Sequence, residues 1–271
     1  MSLNAALPSA KPLLLRPLLL LSLLFALSYG LDLDFMLANF WYQLQGQSWA
    51  LQHYWLTEDV LHRGVRSLNQ WVIAAVLLHF IGQICRQKYQ QRQRHATPMT
   101  TSRWTPARQQ AHGQLLMSLA LSLAGVALLK HSLPMDCPWD LQPFGGSQPF
   151  TGLFSPWPTN RAPNACFPAG HASIGYAWLG LYFFCLKLYP ALARPVLLLS
   201  LALGIGLGLV QQLRGAHFIS HDIASAAWCW SMACLCAYWP ALRGLLRCAL
   251  QRTVNRLNVL NTTTRTQRGT L

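Results

Sequence analysis

Long apolar blocks separated by polar stretches dominate this chain. Six blocks can be drawn, at residues 13–30, 71–86, 114–129, 172–189, 195–212 and 223–242. Crossing a hydrocarbon core takes about 20 helical residues, and several of the blocks approach that length. The pattern predicts an all-α polytopic membrane protein, a bundle of six transmembrane helices forming a single integral membrane domain over residues 1–271. Lys11 and Arg16 precede the first block as they would in a secretory signal, and Ala26-Leu-Ser28 is only a weak cleavage site. The block is therefore read as an uncleaved anchor.

The stretches between blocks differ in character. Residues 31–70 mix Phe35, Phe40, Trp41, Tyr42, Trp49, Tyr54 and Trp55 with Gln, His and acids. Such mixtures suit helices lying at a membrane–water boundary, here a periplasmic interfacial segment whose main role is packing and anchoring. Residues 86–112 read as a basic cytoplasmic loop and residues 243–271 as a basic cytoplasmic tail. The longest outward loop, 130–171, is rich in Pro, Trp, Phe and Gly. Long ordered loops of that kind are more often functional than mere spacers.

Composition narrows the class. Hydrophobic residues make up 53% of the chain and charged residues 10%, too apolar for a soluble domain of 271 residues. A net charge of +14 would suit nucleic acid only as a patch on a folded face. These cations lie instead in the loops between apolar blocks. With the N-terminus in the cytoplasm, only Arg63, Arg66, Lys130, Arg161 and Arg214 of the 21 cations fall outside. That asymmetry predicts a multi-pass protein of a bacterial inner membrane with both termini cytoplasmic. Cys137 and Cys166 are the two cysteines of eight placed outside. An oxidising periplasm would allow them to form a disulfide that braces the loop.

Three outward pieces carry candidate chemistry. Lys130 ends the third block, Pro168-Ala169-Gly170-His171 opens the fourth, and Arg214 to Asp222 links the last two. Ionisable groups at a membrane boundary are costly unless they perform a function. Together they suit a phosphate ester. Lys130 and Arg214 can neutralise phosphate oxygens. Ala169 and Gly170 lie at a helix start, where free amides favour an anion. One imidazole can attack phosphorus while another protonates the leaving oxygen. A further group would hold the nucleophile's tautomer. His217 and His221 are also four apart, but Phe218 stands where a zinc-protease helix carries Glu. No metal and no cofactor is assigned. Gly204, Gly206 and Gly208 lie inside a block and are read as permitting close helix packing.

At these residues the chain resembles the type-2 phosphatidic acid phosphatase superfamily of histidine-dependent membrane lipid phosphatases. The resemblance covers about residues 114–240. The family's first motif is Lys, six residues, Arg-Pro; here Lys130 is followed by Cys137-Pro138. The second, Pro-Ser-Gly-His, matches Pro168–His171 except that Ala169 replaces Ser. The third is Ser-Arg, five residues, His, three residues, Asp, and Gly215–Ser220 resembles the run around its nucleophile. With His217 as nucleophile, the family's Arg position is Gln211 and its Asp position is His221, so Arg214 and Asp222 stand shifted. Arg161 is a candidate substitute cation.

The resemblance implies a lipid phosphatase or phosphotransferase at the periplasmic face. His217 would attack phosphorus, His171 would be the acid, and either His221 or Asp222 would orient the nucleophile. Lys130, Arg214, Ala169 and Gly170 would hold the phosphate. Undecaprenyl diphosphate, lipid A and glycerophospholipid phosphates all remain open as substrates. The missing Arg and displaced Asp motivate an alternative, a non-catalytic lipid-binding or transport protein that keeps the phosphate pocket.

Overall fold

The computed structural model describes residues 9–93, 104–133, 135–153, 156 and 165–268. Helices α1 (Ala10–Gly30) and α2 (Leu33–Leu44) come first. A π-helical segment, Leu56–Gly64, then runs without a break into α3 (Val65–Gln93). Helix α4 (Pro106–Ser132) begins ahead of the apolar block at 114–129, inside the stretch 86–112 that the sequence suggested was a loop, and α3 likewise runs into that stretch as far as Gln93. Thr105 caps α4 by accepting a hydrogen bond from the Arg108 amide at 3.3 Å, and Pro106 occupies the first helical position. Helices α5 (Gly170–Tyr176) and α6 (Gly180–Leu188) are joined by a 3₁₀ turn, Ala177–Leu179. Helices α7 (Pro190–Leu213) and α8 (Ile219–Arg268) complete the chain. Among the described residues the only β-type pairing is an isolated bridge between Leu141 and Gln148.

The bundle has an inside and an outside with different chemistry. Inside, α5 and α6 pack between α7 and α8, and α8 also lies along α1 and α4. The centre is made of small and aromatic residues, including Ala172, Tyr176, Phe183, Cys229, Ala233 and Cys234. Small side chains let backbones approach where lipid offers no hydrophobic drive for helices to associate. A Cβ on Gly175 would clash with the backbone of Gly204, and one on Gly204 with the Tyr176 ring. Gly204 thus serves close packing as its sequence suggested, whereas Gly206 faces open space.

Outside, leucine-rich faces are left uncovered. Among the described residues, four helices are long and apolar enough to cross a membrane: Ala10–Gly30, Leu56–Arg92, Pro106–Ser132 and Pro190–Leu213. The most apolar stretch of Ala10–Gly30 is 6% buried, and that of Leu56–Arg92 is not buried at all. The other two apolar blocks read from the sequence fall short of that measure for different reasons. Block 172–189 is broken by the 3₁₀ turn. Block 223–242 is diluted by Ser, Trp, Tyr and Pro, and it turns Ala226, Cys229, Trp230, Ala233 and Cys234 to the interior.

Residues 31–70 are tied into the fold rather than lying only against a membrane surface. Phe35, Tyr42 and Trp49 pack on Leu141, Phe144 and Phe218, so this segment covers the loop between α7 and α8.

Candidate active site

The site is built around the α7–α8 loop, which is held from both ends. Gln45 donates to the Leu213 carbonyl at 2.8 Å, satisfying an orphan acceptor at the end of α7. Asp34 accepts from the Ser220 amide at 2.9 Å, capping the start of α8. Burial pushes the Asp34 carboxyl above its ordinary value, and the bond from Ser220 opposes this. Between these ties, Gly215 adopts φ +74° with Trp49 stacked so closely that a Cβ would collide with the indole. Only glycine meets both demands. The Gly215 carbonyl accepts from the Trp139 amide at 2.9 Å, fastening the loop that follows α4 to the same turn. A disulfide joins Cys137 to Cys166, with 5.4 Å between the Cα atoms.

The second piece is sewn to the third. The Ala169 amide donates to the His221 carbonyl at 3.1 Å, and the Ser225 hydroxyl donates to the Ala169 carbonyl at 2.8 Å. Gly170 then opens α5 directly beneath Lys130. A Cβ on Gly170 would sit 3.3 Å from the Lys130 Nζ, so the ammonium lies over the first turn of that helix. The His171 Nε2 is 3.0 Å from the Leu61 carbonyl and donates to it, which fixes the ring from the π-helical segment.

These pieces enclose a cavity of about 330 Å³. Lys130, Gly170, His171 and His217 all line it. So do His62, Arg66, Asn69, Gln70 and Gln211, above an apolar floor that includes Leu123, Val126 and Ile174. The remaining residues expected at the site stand back from the cavity. Ala169 is fully buried behind Gly170. Arg214 is turned away: its Nε and Nη2 donate to the Gln52 carbonyl at 3.1 and 2.9 Å, its Nη1 donates to the Gln211 Oε1 at 3.0 Å, and it pairs with Glu58. Arg161 lies outside the described residues.

The two candidates for orienting His217 are separated by geometry. The His221 ring centroid is 5.7 Å from that of His217, and its own ring is wedged between Phe167 and Phe218. Asp222 points toward α7, where its Oδ2 accepts from the Gln212 Nε2 at 2.6 Å. Burial pushes the Asp222 carboxyl up to about 7. His221 is thus the neighbour of His217, and Asp222 is a packing partner of α7.

Burial and charge set the protonation of the site's imidazoles. His217 is held well below its ordinary value, first by burial and then by Lys130, His221 and His171, while the Cys166 backbone partly offsets this. Its imidazole is therefore neutral near pH 7, as a nucleophile must be. Burial lowers His171 to about 4, against the opposing bond to Leu61.

Five polar residues of the cavity wall, His62, Arg66, Asn69, Gln70 and Gln211, are not among the site residues expected from the sequence. The His62 ring centroid is 4.5 Å from that of His171, and its Nδ1 is 3.4 Å from a Glu58 oxygen. Arg66 had been counted only as an outward cation, and Gln211 only as a motif substitution. The spacing of His62, Arg66, Asn69 and Gln70 puts all four on one helical face, a signal visible in the sequence but interpretable only once that face is known to meet α4 and α5. Among the described residues, Cys137, Asp140 and Cys166 place ligand atoms close enough together for a metal. Two of these are committed to the disulfide.

Residues 111–245 match the family model described as the PAP2 superfamily. Neither the comparison with curated proteins nor that with solved structures gave a match.

Proposed function

We propose, from the premise that this chain belongs to the PAP2 superfamily, that it is a membrane lipid phosphatase or phosphotransferase working through a phosphohistidine. The observation that carries the reading is the meeting of Lys130, Gly170, His171 and His217 from three separate stretches around one cavity. His217 attacks phosphorus, forming a P–N bond as the P–O bond to the lipid breaks. His171 gives its proton to the departing lipid oxygen. Its Nε2 is tied to Leu61, so Nδ1 is the nitrogen that gains and releases that proton. Water, activated by the now neutral His171, then attacks phosphorus and breaks the P–N bond. An acceptor hydroxyl in place of water gives phosphotransfer. Lys130 and the first amides of α5 hold the phosphoryl oxygens. His221 positions His217.

The apolar floor of the cavity and the uncovered leucine faces favour a substrate with a lipid body. A lipid monophosphate or diphosphate fits the chemistry. Six crossings of a bacterial inner membrane, formed by the four long helices together with α5–α6 and the first half of α8, leave both termini cytoplasmic. The site then faces the periplasm, which the disulfide beside it favours, since such bonds persist in oxidising compartments. Residues 1–271 form one membrane domain around a phosphatase core of about 114–240, with a periplasmic segment at 31–70 and cytoplasmic basic stretches at 86–112 and 243–271.

Purified protein should release phosphate from a lipid phosphate, and His217→Ala should lower the rate by at least about 10⁴-fold, the scale at which a covalent nucleophile acts. Full activity in His217→Ala would sink the assignment. The diversion of Arg214 to Glu58 favours one other reading, a phospholipid-binding or transport protein. Tight vanadate binding without any turnover would select that reading.

A further inference from the structure

We infer that Gln211 is a phosphoryl-oxygen donor of this site, aimed by Arg214, and that Arg66 is its second cation. The inference rests on the phosphoryl-transfer reading above.

Gln211 is 2% exposed and lines the cavity beside His217. Its Oε1 accepts from the Arg214 Nη1 at 3.0 Å, while its buried Nε2 makes no hydrogen bond. The amide cannot be turned round to cure this. A guanidinium has donors only, so the atom facing Arg214 must be the oxygen, and the NH₂ group is forced to the other side. A buried donor without an acceptor is unfavourable. A phosphoryl oxygen entering the cavity is the acceptor it lacks.

Arg214 therefore acts at one remove. The Gln52 carbonyl and Glu58 hold its guanidinium, and that guanidinium holds the Gln211 amide. The geometry makes Arg214 and Glu58 positioning residues, not ligands of the phosphate. This substitution exchanges a charged donor for a neutral one, so the site needs charge from elsewhere. Arg66 is the arginine on the cavity wall, four residues after His62 on the same helical face. Cys137, at the place where the first motif would supply an arginine, is bonded to Cys166. No acid lines this cavity, so Lys130 and Arg66 act on the bound anion without a competing carboxylate at the wall.

The test uses the full-length protein in detergent, with a lipid phosphate as substrate and vanadate as the phosphoryl mimic. Gln211→Glu keeps an oxygen toward Arg214 but puts a second, repulsive oxygen where the NH₂ stood. It should cut kcat/KM by about 10²-fold or more, the effect of removing one transition-state donor, and weaken vanadate similarly. Gln211→Met removes the donor without adding charge and should show a smaller loss in the same direction. Arg66→Ala should weaken vanadate about tenfold, and Arg66→Lys should restore part of it, as a charge contact would. Glu58→Gln should lower kcat while leaving the melting temperature within the range of the other variants. If Gln211→Glu does not fold, Gln211→Met and Arg66→Ala decide. Active wild type with Gln211→Met and Arg66→Ala unchanged in both turnover and vanadate inhibition would overturn this inference alone. Wild type that neither turns over nor binds vanadate would overturn the phosphoryl-transfer reading beneath it.

Discussion

Two regions of this protein meet at one cavity and contribute in opposite ways. Residues 111–245, which match the family, supply Lys130, Gly170, His171, Gln211 and His217, side chains or amides that can touch a phosphate. Residues 34–58, outside that match, mostly supply acceptors that touch the machinery instead: Asp34 on the Ser220 amide, and the Gln52 carbonyl and Glu58 on Arg214. The Leu61 carbonyl on His171 continues the pattern. His62 and Arg66, a turn further on, are where this holding region reaches into the cavity itself. The difference teaches that a catalytic set drawn from three motifs is not self-supporting. Its cations and imidazoles need fixed acceptors behind them, because charged or hydrogen-bonding groups in a partly dry site are costly when unpaired.

The comparison can be tested from both sides. The largest effect should come from the residues proposed to act on the phosphate: His171→Asn removes the proposed proton donor and should lower turnover by about 10²–10⁴-fold. Retention of most activity would mean that His62, its neighbour, carries the proton instead. The same variant should flatten the pH profile. Because burial sets His171 to about 4, the free protein loses that proton as pH rises through this value, so kcat/KM should fall steadily from about pH 4 upward. A bound phosphate dianion stabilises the imidazolium, so the fall in kcat should come at higher pH. Coincident limbs for kcat and kcat/KM would show that phosphate does not act on this group.

A middling effect is expected at the disulfide. Closing 29 residues of chain should stabilise by about 3 kcal/mol through loss of unfolded-state freedom. Reduction, or Cys137→Ser with Cys166→Ser, should therefore lower the melting temperature and slow turnover by loosening the Cys166 backbone beside His217. An unchanged melting temperature would show that the loop is braced by packing alone. The smallest effect belongs to the holding side. Asp34→Ala should cost about 1 kcal/mol, the usual worth of an N-terminal helix cap. Asp34→Asn, which keeps an acceptor for Ser220, should lose less. Equal losses in the two variants would show that the cap bond is not what Asp34 contributes.

Parts of this were legible in the residue order, and the reasons are specific. The leucine blocks announce the exposed helices, because hydropathy acts over a few residues, whereas the Thr105 cap that starts α4 ahead of its block takes its meaning only from the folded helix. His171 and His217 stood out because ionisable groups beside apolar blocks are rarely idle. His62 and Gln211 did not, since an isolated polar residue has no local signature of what it faces. Arg214 was misleading for the same reason: its charge suggested phosphate, and only the position of Glu58, 156 residues away in sequence, shows where its guanidinium goes.

The sequence by itself determined the all-helical membrane character, the candidate nucleophile and acid, and the candidate disulfide pair Cys137 and Cys166, all of which follow from residue type and short-range order. Tertiary structure decided which cations reach the cavity, that His221 is the ring beside His217 while Asp222 bonds to Gln212, and that the Gln211 oxygen is taken by Arg214. Those are questions of which distant groups share a few ångströms. Hydrogen bonds and ion pairs fall off over such distances, and no periodicity along a chain encodes them.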